Sequence, residues 1–444
     1  MSQVLILGSG LVAGPLLEYL HKHQYSITLA SQFLEEAQEL AKGRNHILCK
    51  TLNVSDERAL SEEVSQHEIV VSFIPYALHP LVAKQCIKHG KHLVTASYLS
   101  DEMATFDEQA KEQNITILNE MGFDPGIDHL SAMSIIDQVH DAGGSIRSFI
   151  SWGAGLPSPE HNDNPFGYKF AWAPKGVLLA MLNQARYLKN GKDVICPATE
   201  LLKSPLQAWT GEEMNLSGYP NRDSIPYKTA YGLDELQDLL RGTLRYEGYL
   251  EIMQDAKILG LLDNTNSPEF TGSWPQLLAQ MANIPEASVP SELAVSSRTK
   301  EAFEWLGLFD RENLVSQSGT YMDIFCNALE NKLVFDQGEK DMAFLLHKFG
   351  VSYPDGSHRN IMSKLKLFGD GEGLGYSAMA KAVGTPAAIA THLLLEGVLT
   401  ERGSIRPTGR EYYTHILPLL KDEGIECEES IAEVSREEFF RELL

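Results

Sequence analysis

Basic side chains are in short supply in this sequence. Its 444 residues carry 37 Lys and Arg against 60 Asp and Glu, a formal net charge of −23. General nucleic-acid binding needs a basic excess to replace the counterions on phosphates, so that class of partner is excluded. An acidic small molecule is not excluded, because a few arginines gathered in one place can bind it. Cysteine is scarce too: Cys49, Cys86, Cys196, Cys326 and Cys427 stand far apart, in no C-x-x-C or zinc spacing. They argue against a disulfide framework or a metal site and read as reduced thiols. No apolar run approaches the roughly 20 residues that span a bilayer. The start, Met1-Ser2-Gln3 before Val4–Leu7, lacks the basic end and long apolar core of a signal peptide. A cytoplasmic protein with no membrane partner is therefore expected. There are no internal repeats or low-complexity linkers, and the length calls for roughly two to three domains.

The first third alternates buried-strand and helix patterns. Val4–Leu7 runs into Gly8-Ser9-Gly10-Leu11-Val12-Ala13-Gly14, then a helix-like Pro15–His21. Gly8 suits a tight turn, Gly10 lets the backbone approach a pyrophosphate, and the small Ala13 lets helix and strand pack closely. The helix N-terminus then faces the phosphates. The second strand, Ser26–Ala30, ends in Ser31-Gln32, where an acidic residue would bind the ribose of NAD. With no carboxylate there to repel a 2′-phosphate, NADP is the expected cofactor and NAD the less favoured one. Further strand ends follow at Asn53-Val54, Ile74, Thr95-Ala96-Ser97-Tyr98 and Ile115–Leu118. Six such strands with helical crossovers predict a doubly wound parallel sheet, the α/β class with a Rossmann-type N-terminal unit.

The chain then passes through Glu120-Met121-Gly122-Phe123-Asp124-Pro125-Gly126-Ile127-Asp128-His129, a strand-to-helix loop with three carboxylates and a histidine. Ligands bind outside the carboxyl ends of strands in such sheets, so the cluster favours a site. Taken alone, Asp128 reads as a helix cap. Ile146–Trp152 reads as a strand of a second, mixed sheet that breaks at Gly153–Pro157. Val177–Leu182 opens a helix that Gln184–Gly191 ends, and Lys169 and Lys175 sit in an aromatic loop, available either to phosphate or carboxylate groups or to solvent. Arg222, Arg241 and Arg245 are notable in so acidic a chain. A guanidinium binds a carboxylate through two hydrogen bonds, although each arginine taken singly reads as a surface ion pair. Phe270–Leu308 suggests a small helical insertion, Asp341–Phe349 a further strand, and Glu426–Leu444 an amphipathic helix.

Gly8–Gly14, Thr95–Tyr98, Gly122–His129, Asn164–Gly176, Pro220–Ser224, Arg241–Tyr246 and Tyr376–Ala380 together resemble the L-glutamate-forming saccharopine dehydrogenases over essentially the whole chain. The resemblance implies an NADP-binding Rossmann domain over 1–123, completed by about 375–444. It also implies an α/β domain over 124–235 and 320–374 that binds saccharopine and forms a homodimer, and a helical domain over 236–319. Cofactor contacts are implied at Gly8, Gly10, Leu11, Val12, Ala13, Ser31, Gln32, Asn53, Val54, Ile74, Thr95, Ala96, Asp124, Pro125, Gly126 and Lys175. Substrate contacts are implied at Ser97, Tyr98, Arg222, Thr243, Leu244 and Arg245, and no metal is implied. The implied reaction interconverts saccharopine with glutamate and 2-aminoadipate 6-semialdehyde, with Asp124 as proton-transfer group and Tyr98 assisting; a binding role alone for Asp124 stays open. Relatives often carry a cysteine where this chain has Gly153–Pro157, so a thiol acid or base is not available here. A carboxynorspermidine-type amine dehydrogenase and a non-catalytic NADP-binding sensor are the alternatives.

Overall fold

The computed structural model describes residues 3–203, 205–211, 214–268, 270–315 and 319–441. Strands β1 (Gln3–Leu7), β2 (Ser26–Ser31), β3 (Ile47–Thr51), β4 (Ile69–Ser72), β5 (His92–Thr95) and β6 (Thr116–Leu118) pair in parallel in the order 3-2-1-4-5-6. Their unbroken apolar sequences follow from burial on both faces. Val4 and Ile6 feed one core cluster while Leu5 and Leu7 feed another, as the two-residue period of a strand requires. The sheet is the Rossmann-type unit expected.

The second sheet contains β7 (Ser145–Pro157), β8 (Ala185–Lys189), β9 (Lys192–Cys196), β10 (Leu206–Thr210), β11 (Asn215–Pro220), β12 (Asp238–Tyr246), β13 (Asp341–Ser352) and β14 (His358–Phe368). The chain then returns to the first sheet, where β15 (Gly403–Ile405) lies parallel to β6, and ends with β16 (Glu428–Val434) on the edge beside β14. The order of the second sheet is β10-β11-β12-β7-β13-β14-β16. Only β7 and β12 pair in parallel along that path, so the sheet is mixed. On β13, Ala343 and Leu345 pack against the first unit while Met342, Phe344 and Leu346 pack under the helices of the second.

Four expectations need correction. The 236–319 region is not all helical, because Asp238–Tyr246 is an interior strand whose alternate residues are buried on both sides; the helices begin at Tyr249. Gly153 and Gly155 do not break β7: they are strand positions onto which Asp124 and Met379 pack, where a Cβ would come within 2.2 and 2.9 Å. Gln184–Gly191 forms most of a hairpin, with Asn190 and Gly191 at φ +51° and +72° turning β8 into β9. Finally, 375–444 does not belong wholly to the first unit, and Glu426–Leu444 is not one helix. Glu428–Val434 is an acidic edge strand drawn to β14, where Lys364 lies 3.2 Å from Glu428.

Helix Ala378–Leu395 is a single helix running through Pro386. Its length and composition would suit a membrane span, but it is mostly buried in the protein. It crosses helix Ala13–Lys22 at Gly384, where a Cβ would lie 2.5 Å from the Val12 carbonyl oxygen. That close approach needs glycine.

Candidate active site

The loop after β6 lies against β7 and β12 of the second sheet, with Asp124 over Gly153 and beside Arg241. Its shape is dictated locally. Gly126 has φ +147°, and a Cβ there would overlap the Gly122 carbonyl oxygen at 1.9 Å. Ile127 donates from its backbone N–H to the Gly122 carbonyl at 2.8 Å, and the Asp124–Pro125 peptide is cis. The result sets Asp124 and Asp128 side by side at the start of helix Ile127–Asp141.

Arg241 on β12 joins them. Its Nη2 donates to Asp124 Oδ1 at 2.6 Å and to Asp128 Oδ2 at 2.5 Å, and its guanidinium lies 4.0 Å over the Tyr227 ring. The two carboxylates are then pushed apart in acidity. Burial raises Asp124, and Asp128 adds to this against the pull of Arg241, leaving it at about 6. Burial would raise Asp128 as well, but His129, Arg241 and the Gly126 N–H at 2.5 Å outweigh it and hold its carboxyl below the usual range. A carboxyl poised near neutrality beside an ionised one is an arrangement suited to proton transfer. Gly153 makes room for it, since a Cβ there would collide with Asp124 Oδ2.

Tyr98 follows β5. Burial, then the charge of Asp124, raises its phenol, so it stays protonated and can donate a hydrogen bond. Arg222 stacks 5.3 Å over its ring from a turn at φ +56°. Tyr98, Asp124 and Arg222 therefore come together. Ser97 Oγ lies 2.8 Å from His79 Nε2, so that hydroxyl is already held by a neighbouring imidazole.

Arg245 sits four residues beyond Arg241 on the same face of β12, with Thr243 between them. It is 3 % exposed, flanked by the Tyr168 and Tyr249 rings at 4.9 and 5.5 Å, and donates to the Leu244 carbonyl at 2.6 Å. Among the described residues no carboxylate pairs with it. A buried guanidinium without an anion is costly, which marks this as a place for a carboxylate from outside. Leu244 turns its side chain to the opposite face and into the core, while its carbonyl accepts from Arg245.

The cofactor positions lie along the same edge. Gly8 has φ +104°, with a Cβ blocked by the Phe73 carbonyl at 2.7 Å, while the space beyond Gly10 is open. Ala13 is fully buried, Leu11 is 76 % exposed, and Val12 leaves helix Ala13–Lys22 without a side-chain cap. Ser31 Oγ accepts from Ser9 Oγ at 2.9 Å and from the Phe33 N–H at 3.2 Å, and Gln32 donates to Asn53 at 3.2 Å. Val54, Ile74, Thr95, Ala96, Pro125 and Gly126 complete the row of strand ends and loops. An open glycine turn, an uncapped helix and a second strand ending without a carboxylate fit a dinucleotide bearing a 2′-phosphate.

Both loop lysines are engaged elsewhere. Lys175 donates to Asp323 at 2.6 Å from a helix packed on Tyr321–Glu330, so this structure does not join it to the glycine loop. Lys169 is buried between Glu339 and Asp163 at 2.6 and 3.0 Å. A second network joins two members of the loop cluster, Glu120 and His129, that the implied cofactor and substrate positions did not include. Glu120, fully buried, lies 2.7 Å from His129 Nε2, accepts from Arg406 Nε at 2.8 Å and from the Leu99 N–H at 2.8 Å, and His129 Nδ1 lies 2.7 Å from Tyr231 Oη. Although burial opposes it, His129 and Arg406 hold Glu120 down to about 2. This ion network ties the loop bearing Tyr98 to the loop bearing Asp124. Clustering of Glu120 and His129 was the available sequence signal; nothing pointed to Arg406.

Residues 4–118 match the family description "Saccharopine dehydrogenase NADP binding domain", and 122–425 match "Saccharopine dehydrogenase C-terminal domain". The chain belongs to the saccharopine dehydrogenase family. It is 39% identical to the saccharopine dehydrogenase [NADP(+), L-glutamate-forming] of Pyricularia oryzae, over 96% of this chain and 98% of that one. It is 40% identical to the mitochondrial alpha-aminoadipic semialdehyde synthase of Rattus norvegicus, covering 95% of this chain but 47% of that longer protein. The solved apo saccharopine dehydrogenase (L-Glu forming) of Saccharomyces cerevisiae superposes with a TM-score of 0.90 at 35% identity, over 97% of this chain and 100% of that one. The family's NADP-binding domain is thus the parallel sheet with its glycine turn, and its C-terminal domain carries Asp124, Arg222, Arg241 and Arg245.

Proposed function

We propose that this chain is an L-glutamate-forming saccharopine dehydrogenase, interconverting saccharopine with glutamate and 2-aminoadipate 6-semialdehyde. The observation that carries the reading is the full-length family match joined to a buried, unpaired Arg245 on the strand that also presents Arg241 to Asp124. NADP, held by the Gly8–Ala13 turn and the strand ends from Ser31 to Ala96, supplies the hydride acceptor for the carbon that bears the amine. The protein's own work is binding and proton movement. Arg245 and Arg222 take carboxylates of a substrate that has three of them. Asp124, poised near neutrality, accepts the proton of the secondary amine and then serves the water that splits the imine. The Tyr98 hydroxyl orients the substrate nitrogen or oxygen beside it.

A polyamine substrate would instead require acidic groups around its extended end, and Arg245 between the Tyr168 and Tyr249 rings is the opposite environment. Purified protein given glutamate and aminoadipate semialdehyde should oxidise NADPH rapidly and NADH slowly. Turnover with a diamine in place of glutamate would favour the amine dehydrogenase; NADPH binding without turnover on either would favour the sensor.

A further inference from the structure

A row of polar side chains crosses the second sheet on the face that meets helix Ile127–Asp141. Arg241 on β12 is registered opposite Ser151 on β7, Ser151 opposite His347 on β13, and His347 opposite Ser363 on β14. All four are buried, His347 completely. Among the described residues Arg241 Nε, Ser151 Oγ and both ring nitrogens of His347 have no hydrogen-bond partner. One such atom costs on the order of 1–3 kcal/mol, so four in a line call for a purpose. These atoms make no direct bond to their register neighbours, and a line of polar atoms about 5 Å apart at Cβ suits a water between neighbours.

The row has two ends. At one, Arg241 holds Asp124 and Asp128. At the other, Ser363 Oγ lies 2.9 Å from Ser131 Oγ, and Ser131 lines a surface groove shared with Ser134, Tyr413, Leu417 and Cys427. Asp128 and His129 on the helix and Arg241 on β12 are the charged and titratable groups that act on His347, whose ring packs edge-on against Phe149 and Phe349. Burial pushes its imidazole down to about 4, leaving it neutral, with one nitrogen to donate and one to accept.

We propose that this row is a hydrated proton exit from the active site, with His347 as its relay residue. The inference rests on the reaction proposed above. Saccharopine, NADP⁺ and water yield glutamate, semialdehyde, NADPH and one proton: the carbon–hydrogen bond leaves with its electron pair as hydride, water adds to the imine, and the carbon–nitrogen bond breaks. Asp124 is partly exposed in the unliganded protein, and with substrate and cofactor seated over it the proton collected there needs another way out. It passes by water to Asp128, which shares the Arg241 nitrogen, is taken up on one nitrogen of His347 while the other releases one, and reaches the groove through Ser363 and Ser131.

A high-resolution crystal structure of the whole protein should show ordered waters bridging Arg241 Nε, Ser151 Oγ and His347. Stopped-flow oxidation of saccharopine in weak buffer, read by NADPH absorbance and a pH indicator together, supplies the functional test. In the wild type the two signals should rise in step. His347→Phe keeps the aromatic packing, so NADPH should form in the first turnover at a near wild-type rate while proton release lags several-fold. Ser151→Ala removes one hydroxyl and should give a smaller lag, which keeps the test usable if the histidine variant does not fold. A dry row, or release in step with NADPH in the folded variants, overturns the proton exit while leaving the function standing. A wild type that makes no NADPH from saccharopine overturns both.

Discussion

Two arginines on one face of β12 meet opposite circumstances. Arg241 is given two carboxylates by the chain itself, whereas Arg245, four residues on and equally buried, is given none among the described residues. Both guanidiniums stack on tyrosine rings, so packing does not separate them. The difference lies in what completes each site: the protein supplies the anions for Arg241, and in the function proposed above those for Arg245 come from the substrate. An internal ion cluster is therefore built for the resting enzyme, while the second cation is stabilised only when something binds.

Arg241→Met removes the cation shared by Asp124 and the buried Asp128 and should cost about 3–5 kcal/mol of stability, read as a fall in denaturation midpoint. Arg245→Met should leave stability nearly unchanged, because it removes a buried charge with no ion-pair partner. It should instead raise the saccharopine KM by roughly 30-fold or more, with NADP affinity held, as expected for a lost buried charge pair worth about 2 kcal/mol or more. An unchanged KM would remove Arg245 from the carboxylate site. Asp124→Asn should lower kcat by about 10²-fold or more. With a folded-state pKa raised to about 6, wild-type saccharopine oxidation should climb as pH rises through that value, and the asparagine variant should lose this limb. A fully active variant would end the proton-transfer role. Gly153→Ala, which keeps Asp124 but displaces its carboxylate, should reduce kcat by about tenfold to 10²-fold with little change in KM. The smallest effect belongs to Lys175→Met. With its ammonium already engaged by Asp323, the KM for NADP should shift less than about twofold, and a large rise would restore Lys175 to the cofactor site.

The first sheet was legible because each of its strands is buried on both faces and therefore written as an unbroken apolar run, and because the glycine turn follows β1 at once. The second sheet was harder for a physical reason. β7 carries glycines at the positions where Asp124 and Met379 press against it, and glycine in a sequence looks the same whether it ends a strand or makes room beside one. Asp124 was legible from its loop. Its partner was not, because Arg222, Arg241 and Arg245 are equivalent until burial and distance sort them. Glu120 and Arg406 lie 286 residues apart, a pairing no local pattern contains.

The crossings of the chain between its two sheets have a consequence for how the protein is made. The first sheet takes its seventh strand from Gly403–Ile405, and the second takes its edge from Glu428–Val434. No single cut in the gene can therefore separate the two sheets from each other with both intact. During synthesis both remain unfinished until the last tenth of these residues begins to leave the ribosome, and the second until nearly all have left. For most of its translation the nascent protein thus carries open sheet edges and uncovered apolar faces, the condition in which chains depend most on chaperones.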